Sequence, residues 1–241
     1  YDYNDYLHMV WSAQMISDSG GIYYAAKIYH YDTQDMTITE VTGADSLWYD
    51  TQVWCDFGGW NFTLAKMSIG VDPTNNALFV THTGWNWNDC ALSLYANGDI
   101  FMEYSIDGGN NWTLRGNVTD SHTDSCEAGM CDSDHWSSLA EQVNDNLHIF
   151  YVNDKDAGGI PQSEGAVTDN PMLYLAYANP VRNSTIPNAP NLVFPENSGR
   201  YDSAAYFLFE WSEPVGATRF RIELDDENTF ATPLAVDTRY A

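Results

Sequence analysis

A repeat of about 70 residues constrains the fold of this chain more than any other feature. Three apolar segments align on a leucine, and Leu7, Leu78 and Leu147 lie 71 and 69 residues apart. Each segment is followed by a second, aromatic-rich segment with strand character. The three pairs are residues 6–11 with 22–28, 77–82 with 100–104, and 146–151 with 172–177. The repeat therefore predicts a series of small antiparallel β-sheets.

Additional strand candidates extend each repeat. Residues 66–71 and 138–143 precede the leucine segments of the second and third repeats, and residues 37–41 close the first. Strands such as 147–152 carry apolar residues on both faces, which is typical of sheets packed between neighbouring sheets. Radial stacking is the simplest architecture that does this. The sequence therefore predicts an all-β fold in which residues 1–186 are β-propeller blades, part of a larger ring and incomplete at the N-terminus.

A turn motif follows the second strand of the middle repeat. Residues 105–112 have the spacing S-x-D-x-G-x-x-W, supplied by Ser105, Asp107, Gly109 and Trp112. The carboxylate can accept backbone N–H groups in a tight turn, glycine supplies positive φ, and the indole packs beneath the hairpin. Together with the repeat, this motif resembles the sialidase-type Asp-box (BNR-repeat) β-propellers. In that family the box is a folding device, and residues 29–35 and 177–180 of the other repeats lack it.

The composition of the sequence changes after Ile186. Pro187, Pro190 and Pro195 mark a stiff linker, and strand candidates follow at 206–211, 219–224 and 234–237. This segment resembles the front half of a fibronectin III or immunoglobulin-like module. We therefore expect residues 187–241 to form a partial β-sandwich, completed either by further chain or by a partner.

Charge and cysteine content indicate the compartment and exclude some partners. Nine basic and 34 acidic residues give a formal charge of −25, which argues against a nucleic-acid or anionic-membrane partner. No apolar run approaches the roughly 20 residues of a transmembrane segment. The spacing of Cys55, Cys90, Cys126 and Cys131 fits neither zinc nor haem and favours disulfides in an extracellular or cell-surface protein. A local Cys126–Cys131 bridge leaves Cys55 for Cys90, although other pairings stay open.

Three sets of candidate site residues emerge. Asp154, Asp156 and Glu164 form one potential calcium loop, and Asp132 with Asp134 a second, unless both are solvated turns. The loop tryptophans offer flat surfaces for a sugar ring or a neighbouring protein subunit, unless they fill space between blades. These candidates are Trp60, Trp85 and Trp87. Four sequons, at Asn61, Asn111, Asn117 and Asn183, are candidate glycosylation sites.

The sequence contains no recognisable catalytic set. A sialidase needs an arginine cluster, yet Arg115 is the only arginine in residues 1–180, and we expect it in an outer strand. We therefore assign no catalytic residue. Our main hypothesis is a secreted or cell-surface, non-catalytic propeller that acts in adhesion or extracellular assembly. The alternatives are a sialidase-like or other carbohydrate-active enzyme with its catalytic residues upstream, and a subunit of an extracellular filament or surface layer.

Overall fold

The computed structural model describes residues 1–16, 22–43, 55–59 and 61–182, without the side chains of 15–16, 22–25, 86–88 and 115. Beyond residue 182 it describes the backbone of four short strands. The chain divides into two compact units, Tyr1–Val181 and Arg182–Ala241. The first unit is built from β-strands, with one short 3₁₀ helix at Ile160–Gln162 among the described residues.

Three antiparallel sheets make up the first unit. Sheet 1 contains β1 (His8–Ile16), β2 (Ile22–Asp32) and β3 (Ile38–Gly43). Sheet 2 contains β4 (Leu64–Val71), β5 (Leu78–Cys90), β6 (Ala96–Ser105) and β7 (Thr113–Asn117). Sheet 3 contains β8 (Ser133–Leu139), β9 (Asn146–Asp154) and β10 (Met172–Ala178). In each sheet, strands consecutive in sequence are hydrogen-bonded neighbours, and no sheet closes into a barrel.

Sheet 2 is buried on both faces. One face of β5 carries Phe79, which packs with Leu139 and Leu147 of sheet 3. The other face carries Val80, which packs with Ala26 and Ile28 of sheet 1. Adjacent residues of a strand point to opposite faces, so the apolar run of β5 serves two cores. The prediction that apolar strands lie between neighbouring sheets is therefore confirmed for sheet 2.

One predicted strand is displaced in the structure. The strand predicted at 138–143 lies instead at Ser133–Leu139. Residues 140–143 form a connection because the Val71 N–H donates to Glu141 O at 2.8 Å and the Val143 N–H donates to Val71 O at 2.9 Å. Val143 is apolar because it is buried in this connection, not because it belongs to a strand. Arg115 lies in β7, the outer strand of sheet 2, as predicted.

The second unit contains two antiparallel strand pairs. The first joins β11 (Leu192–Phe194) to β12 (Glu210–Trp211), and the second joins β13 (Arg219–Leu224) to β14 (Ala235–Tyr240). The predicted strand at 219–224 is present with the same bounds. A β-sandwich in this unit stays a prediction.

Candidate functional site

The turn between β6 and β7 holds its motif residues in a closed set of hydrogen bonds. Ser105 Oγ donates to Asp107 Oδ1 at 2.8 Å and accepts from the Gly109 N–H at 2.9 Å. The Asn111 N–H donates to the same Asp107 oxygen at 2.9 Å. Gly109 has a φ of 92°, in the left-handed region that favours glycine. The carboxylate therefore organises the hairpin and serves a structural purpose.

The same turn docks on sheet 1. Trp112 Nε1 donates to Gly109 O at 3.0 Å, and Thr39 Oγ1 of β3 donates to the same carbonyl at 2.6 Å. The buried His30 ring lies edge-on to Trp112, with 5.2 Å between ring centroids. Burial and the neighbouring His8 lower the pKa of His30 to about 4, so this ring is neutral at pH 7. The turn thus fastens sheet 2 to the preceding sheet.

The acidic loop after β9 uses its carboxylates on its own backbone. Asp154 Oδ1 accepts from the Asp156 N–H at 3.2 Å, and Asp156 Oδ2 accepts from the Ala166 N–H at 2.6 Å. The Glu164 carboxylate accepts from the N–H groups of Gly59 and Gly159 at 2.9–3.0 Å. These bonds hold the loop against its neighbours.

No group of three His, Cys, Asp or Glu side chains capable of holding a metal ion occurs in the described part of the chain. The Asp132 carboxylate pairs with Lys155, and Asp134, in β8, is buried. Calcium binding stays a prediction from the sequence.

Two buried aspartates share one serine hydroxyl. Ser121 Oγ lies 2.9 Å from Asp99 Oδ1 and 3.0 Å from Asp134 Oδ2. A hydroxyl has one proton to donate, so one of the two carboxyl groups must supply a proton of its own. Asp99 also accepts from the Ser121 N–H, Thr119 and Asn117, which favours its ionised form. We therefore assign the extra proton to Asp134, which donates to Ser121 Oγ.

Burial is the main cause that raises the pKa of both Asp99 and Asp134, and the charge of Asp99 raises the pKa of Asp134 further. A raised pKa in the folded state means that the folded protein keeps a proton which the unfolded chain loses near pH 4. This contribution to stability is complete below the unfolded pKa and is lost as the pH rises through the folded pKa.

We expect Asp134→Asn to remove the loss of stability that accompanies ionisation of Asp134, because an amide donates to Ser121 without titrating. Compared with the wild type, the free energy of unfolding of the variant should increase as the pH rises from about 4 towards neutrality. Urea unfolding at several pH values measures this difference. Asp169→Asn, at an exposed loop position, is the control for the loss of one negative charge. A wild-type-to-variant difference that stays constant over this pH range would contradict the assignment.

A polar and aromatic cluster lies where β4 and β8 bulge. Lys66 Nζ lies 4.2 Å from the centroid of the Trp136 ring and 4.7 Å from that of Trp85. The same ammonium donates to His135 Nδ1 at 3.3 Å. Burial lowers the pKa of Lys66 to about 8, opposed by the charge of Asp154, so Lys66 is still mostly charged at neutral pH. Its position between two indoles is typical of a cation–π contact.

The Lys66 contact determines the tautomer of His135. Because the ammonium donates to Nδ1, the proton of the neutral imidazole is on Nε2. Nε2 lies 2.6 Å from Ser133 Oγ and donates to it, and the Gly98 N–H also donates to this hydroxyl at 2.8 Å. A general base would have to accept the serine proton. The Ser133–His135 pair is therefore arranged as a structural hydrogen bond.

A second buried pair joins β5 to β6. His82 Nε2 lies 3.1 Å from Glu103 Oε2, and both side chains are almost entirely buried. His82 stacks on Phe101, with 5.7 Å between ring centroids. His82 Nδ1 and Glu103 Oε2 have no hydrogen-bond partner among the described residues, and the whole pair lies inside the core, away from any solvent-borne substrate.

The predicted stacking tryptophans have different positions. Trp85 is 1% exposed and packs edge-on against His135, so the prediction that it stacks on a ligand is wrong. Its ring lies inside the core because β5 is longer than predicted and includes it. Trp60 lies outside the described residues, as does the side chain of Trp87.

The sequons also differ in their surroundings. The Asn117 amide donates to buried Asp99 at 2.8 Å, and the Asn61 amide donates to Phe57 O at 2.7 Å. Asn111 is exposed, although its amide donates to Asp107 at 2.7 Å. Asn183 lies outside the described residues. Among the three described sequons, Asn111 is the most accessible.

Both favoured disulfides are present, Cys55–Cys90 and Cys126–Cys131. Disulfides of this kind form in oxidising compartments and fit an extracellular protein. Within the described residues, no helix is long and apolar enough to cross a membrane.

Sequence reasoning did not find the Ser121 and Lys66 clusters. Each brings together residues from strands or loops distant in sequence, such as Lys66 and Trp136. A weak signal was available, since Lys66 is one of only three lysines and lies beside an apolar strand candidate.

Comparisons with known proteins do not extend this description. No protein-family model matches the sequence, and no curated protein matches it.

Proposed function

We propose that this protein is a secreted or cell-surface, non-catalytic β-propeller protein that acts in adhesion or extracellular assembly. The observation that carries the proposal is a pair of aromatic sheet faces, an exposed one on sheet 3 and a partly exposed one on sheet 1. The buried, structural use of Ser133, His135, His82 and Glu103 supports a non-catalytic role.

The outer face of sheet 3 is apolar and exposed. Tyr174 pairs with Phe150 across β9 and β10, and both side chains are 51% exposed. Met172 of the same face is 65% exposed. Aromatic and methionine side chains are enriched in the centres of protein interfaces.

The repeat identifies what such a face ordinarily contacts. Pairing registers make Met172 and Tyr174 equivalent to Ile100 and Met102 of sheet 2, whose side chains are 0% exposed. Met102 is buried by residues of the next sheet. The exposed face of sheet 3 is therefore equivalent to the face of sheet 2 that the next sheet covers.

Sheet 1 has a second aromatic face. Trp11 stacks on Tyr29 with 5.9 Å between ring centroids, and Met9 lies opposite Tyr31. Tyr29 is equivalent to Phe101, which is 6% exposed in sheet 2. Further blades of the same polypeptide would cover both faces in a closed ring, whereas a second copy would cover them in a filament.

Photo-crosslinking tests this proposal. We expect Tyr174→p-benzoylphenylalanine in the purified protein to crosslink to a β-sheet residue, either in the same polypeptide or in a second copy. The control is the same substitution at Met130, which is 73% exposed in the Cys126–Cys131 loop and should give no specific product. Mass spectrometry of the crosslinked peptides distinguishes ring closure from assembly. Absence of a specific product from position 174, or turnover of a glycan at enzyme-like rates, would overturn the proposal.

A further inference from the structure

Two β-bulges place large side chains in an uncommon backbone conformation. The register of β4 shifts between Ala65 and Ser68, and that of β8 shifts between His135 and Ser138. Inside these bulges, Lys66 has a φ of 58° and Trp136 a φ of 59°. The left-handed region costs a residue with a side chain about 1–2 kcal/mol. Bulges often redirect a side chain beside a functional site, and such strain is a reason to look for one.

The bulges produce a braced and exposed indole. Trp136 is 61% exposed, although Lys66 Nζ lies 4.2 Å from its ring centroid. The backbone N–H of Trp136 donates to Thr83 Oγ1 of sheet 2 at 3.2 Å, which fixes the backbone at the bulge. Since the ammonium covers one side of the ring, the exposed area belongs to the rest of the indole. The protein thus holds a flat apolar surface rigidly toward solvent.

The exposed part of β8 is small. Only Trp136 and Ser138 of this strand are exposed, since His135 and Ser137 are buried, so no other apolar residue of β8 extends the exposed surface of the indole. A protein-docking surface ordinarily needs a contiguous patch of several hundred Å². One exposed ring with the exposed hydroxyl-bearing Ser138 two residues further along the strand matches a ligand that has one apolar face and a polar rim.

We propose that Trp136, braced by Lys66, is a binding platform for a neutral saccharide. A pyranose ring presents a face of C–H groups that can lie on the indole, and its hydroxyl groups form the polar rim. A neutral ligand is favoured over an acidic one because the chain has a formal charge of −25.

The site goes beyond the proposed adhesive role and does not depend on how the sheets assemble. It lies on the bulges of the first strands of sheets 2 and 3, whereas the proposed contact face of sheet 3 uses Phe150 and Tyr174. Lys66 is a positioning residue, because it acts through the orientation of Trp136.

Isothermal titration calorimetry with four neutral probes tests the platform: cellohexaose, xylohexaose, mannohexaose and tri-N-acetylchitotriose. We expect the purified protein to bind at least one of them and Trp136→Ala to bind it at least about tenfold more weakly, equivalent to about 1.4 kcal/mol. Tyr3→Ala, which removes an exposed aromatic ring elsewhere, should bind as the wild type does. Circular dichroism of each variant verifies that it is folded.

Two Lys66 variants separate positioning from folding. Lys66→Met should weaken binding, and Lys66→Arg should restore it because the cation over the indole is retained. Failure of all four probes to bind the wild type, or equal affinity of the Trp136→Ala variant, would overturn this proposal. Either result leaves the crosslinking test of the sheet faces unaffected, so the two proposals fail separately.

Discussion

Gly109→Ala should lower the free energy of unfolding by about 4 kcal/mol. The new Cβ would clash with Cε1 of the His30 ring, so the imidazole or the turn must move. His30 is fully buried against Trp112, so little room exists for that movement. The φ of 92° adds the cost of a positive φ to the cost of overpacking, each about 1–3 kcal/mol. Chemical denaturation monitored by tryptophan fluorescence measures the change.

Gly108→Ala is the matched control for this experiment. Gly108 also has a positive φ, 73°, but an added Cβ there meets no atom within 4 Å. Only the conformational cost remains, so the loss should be about 1 kcal/mol. Equal losses for the two alanine variants would show that the docking of the turn on sheet 1 contributes little to stability.

Removing the Cys55–Cys90 disulfide should cost about 4 kcal/mol, whereas removing Cys126–Cys131 should cost about 2 kcal/mol. The first bridge joins residues 35 apart in sequence and the second joins residues 5 apart. A longer closed loop restricts the unfolded chain more, which makes the first bridge worth more. Its loop also contains β4 and nearly all of β5, so the bridge constrains the middle sheet.

Paired substitutions allow a direct comparison. Cys55→Ala with Cys90→Ala, and Cys126→Ala with Cys131→Ala, each remove one bridge without leaving a free thiol. Urea unfolding of both double variants under non-reducing conditions gives the two free energies. A larger loss from the Cys126–Cys131 pair would contradict the loop-length argument.

Strand positions were predictable where local pattern and burial agree. The segments around Leu7, Leu78 and Leu147 are short and rich in apolar residues, and strands lie at or directly after all three. Prediction was wrong at residues 138–143, because Val143 is buried in a connection that bonds to Val71. An apolar side chain reports burial, and burial alone does not distinguish a strand from a buried connection.

The candidate sites were less predictable for the same kind of reason. Asp154, Asp156 and Glu164 have the composition of a cation loop, yet their oxygens accept backbone N–H groups whose positions depend on the folded loop. Trp85 and Trp136 are equally aromatic in the sequence, but one is 1% and the other 61% exposed. Which of the two faces solvent depends on the packing of sheet 3 on sheet 2.

The sequence by itself determined the all-β class, the repeat, the tight turn at residues 105–112 and a pattern of cysteines suited to disulfides. These features depend on local spacing: strand periodicity, glycine at a positive φ and carboxylate bonds to nearby N–H groups. Only the tertiary structure decided which residues share a site. The Ser121 hydroxyl between Asp99 and Asp134 and the contact of Lys66 with Trp136 arise from packing between strands and loops, since groups far apart in sequence become neighbours only when apolar faces are buried.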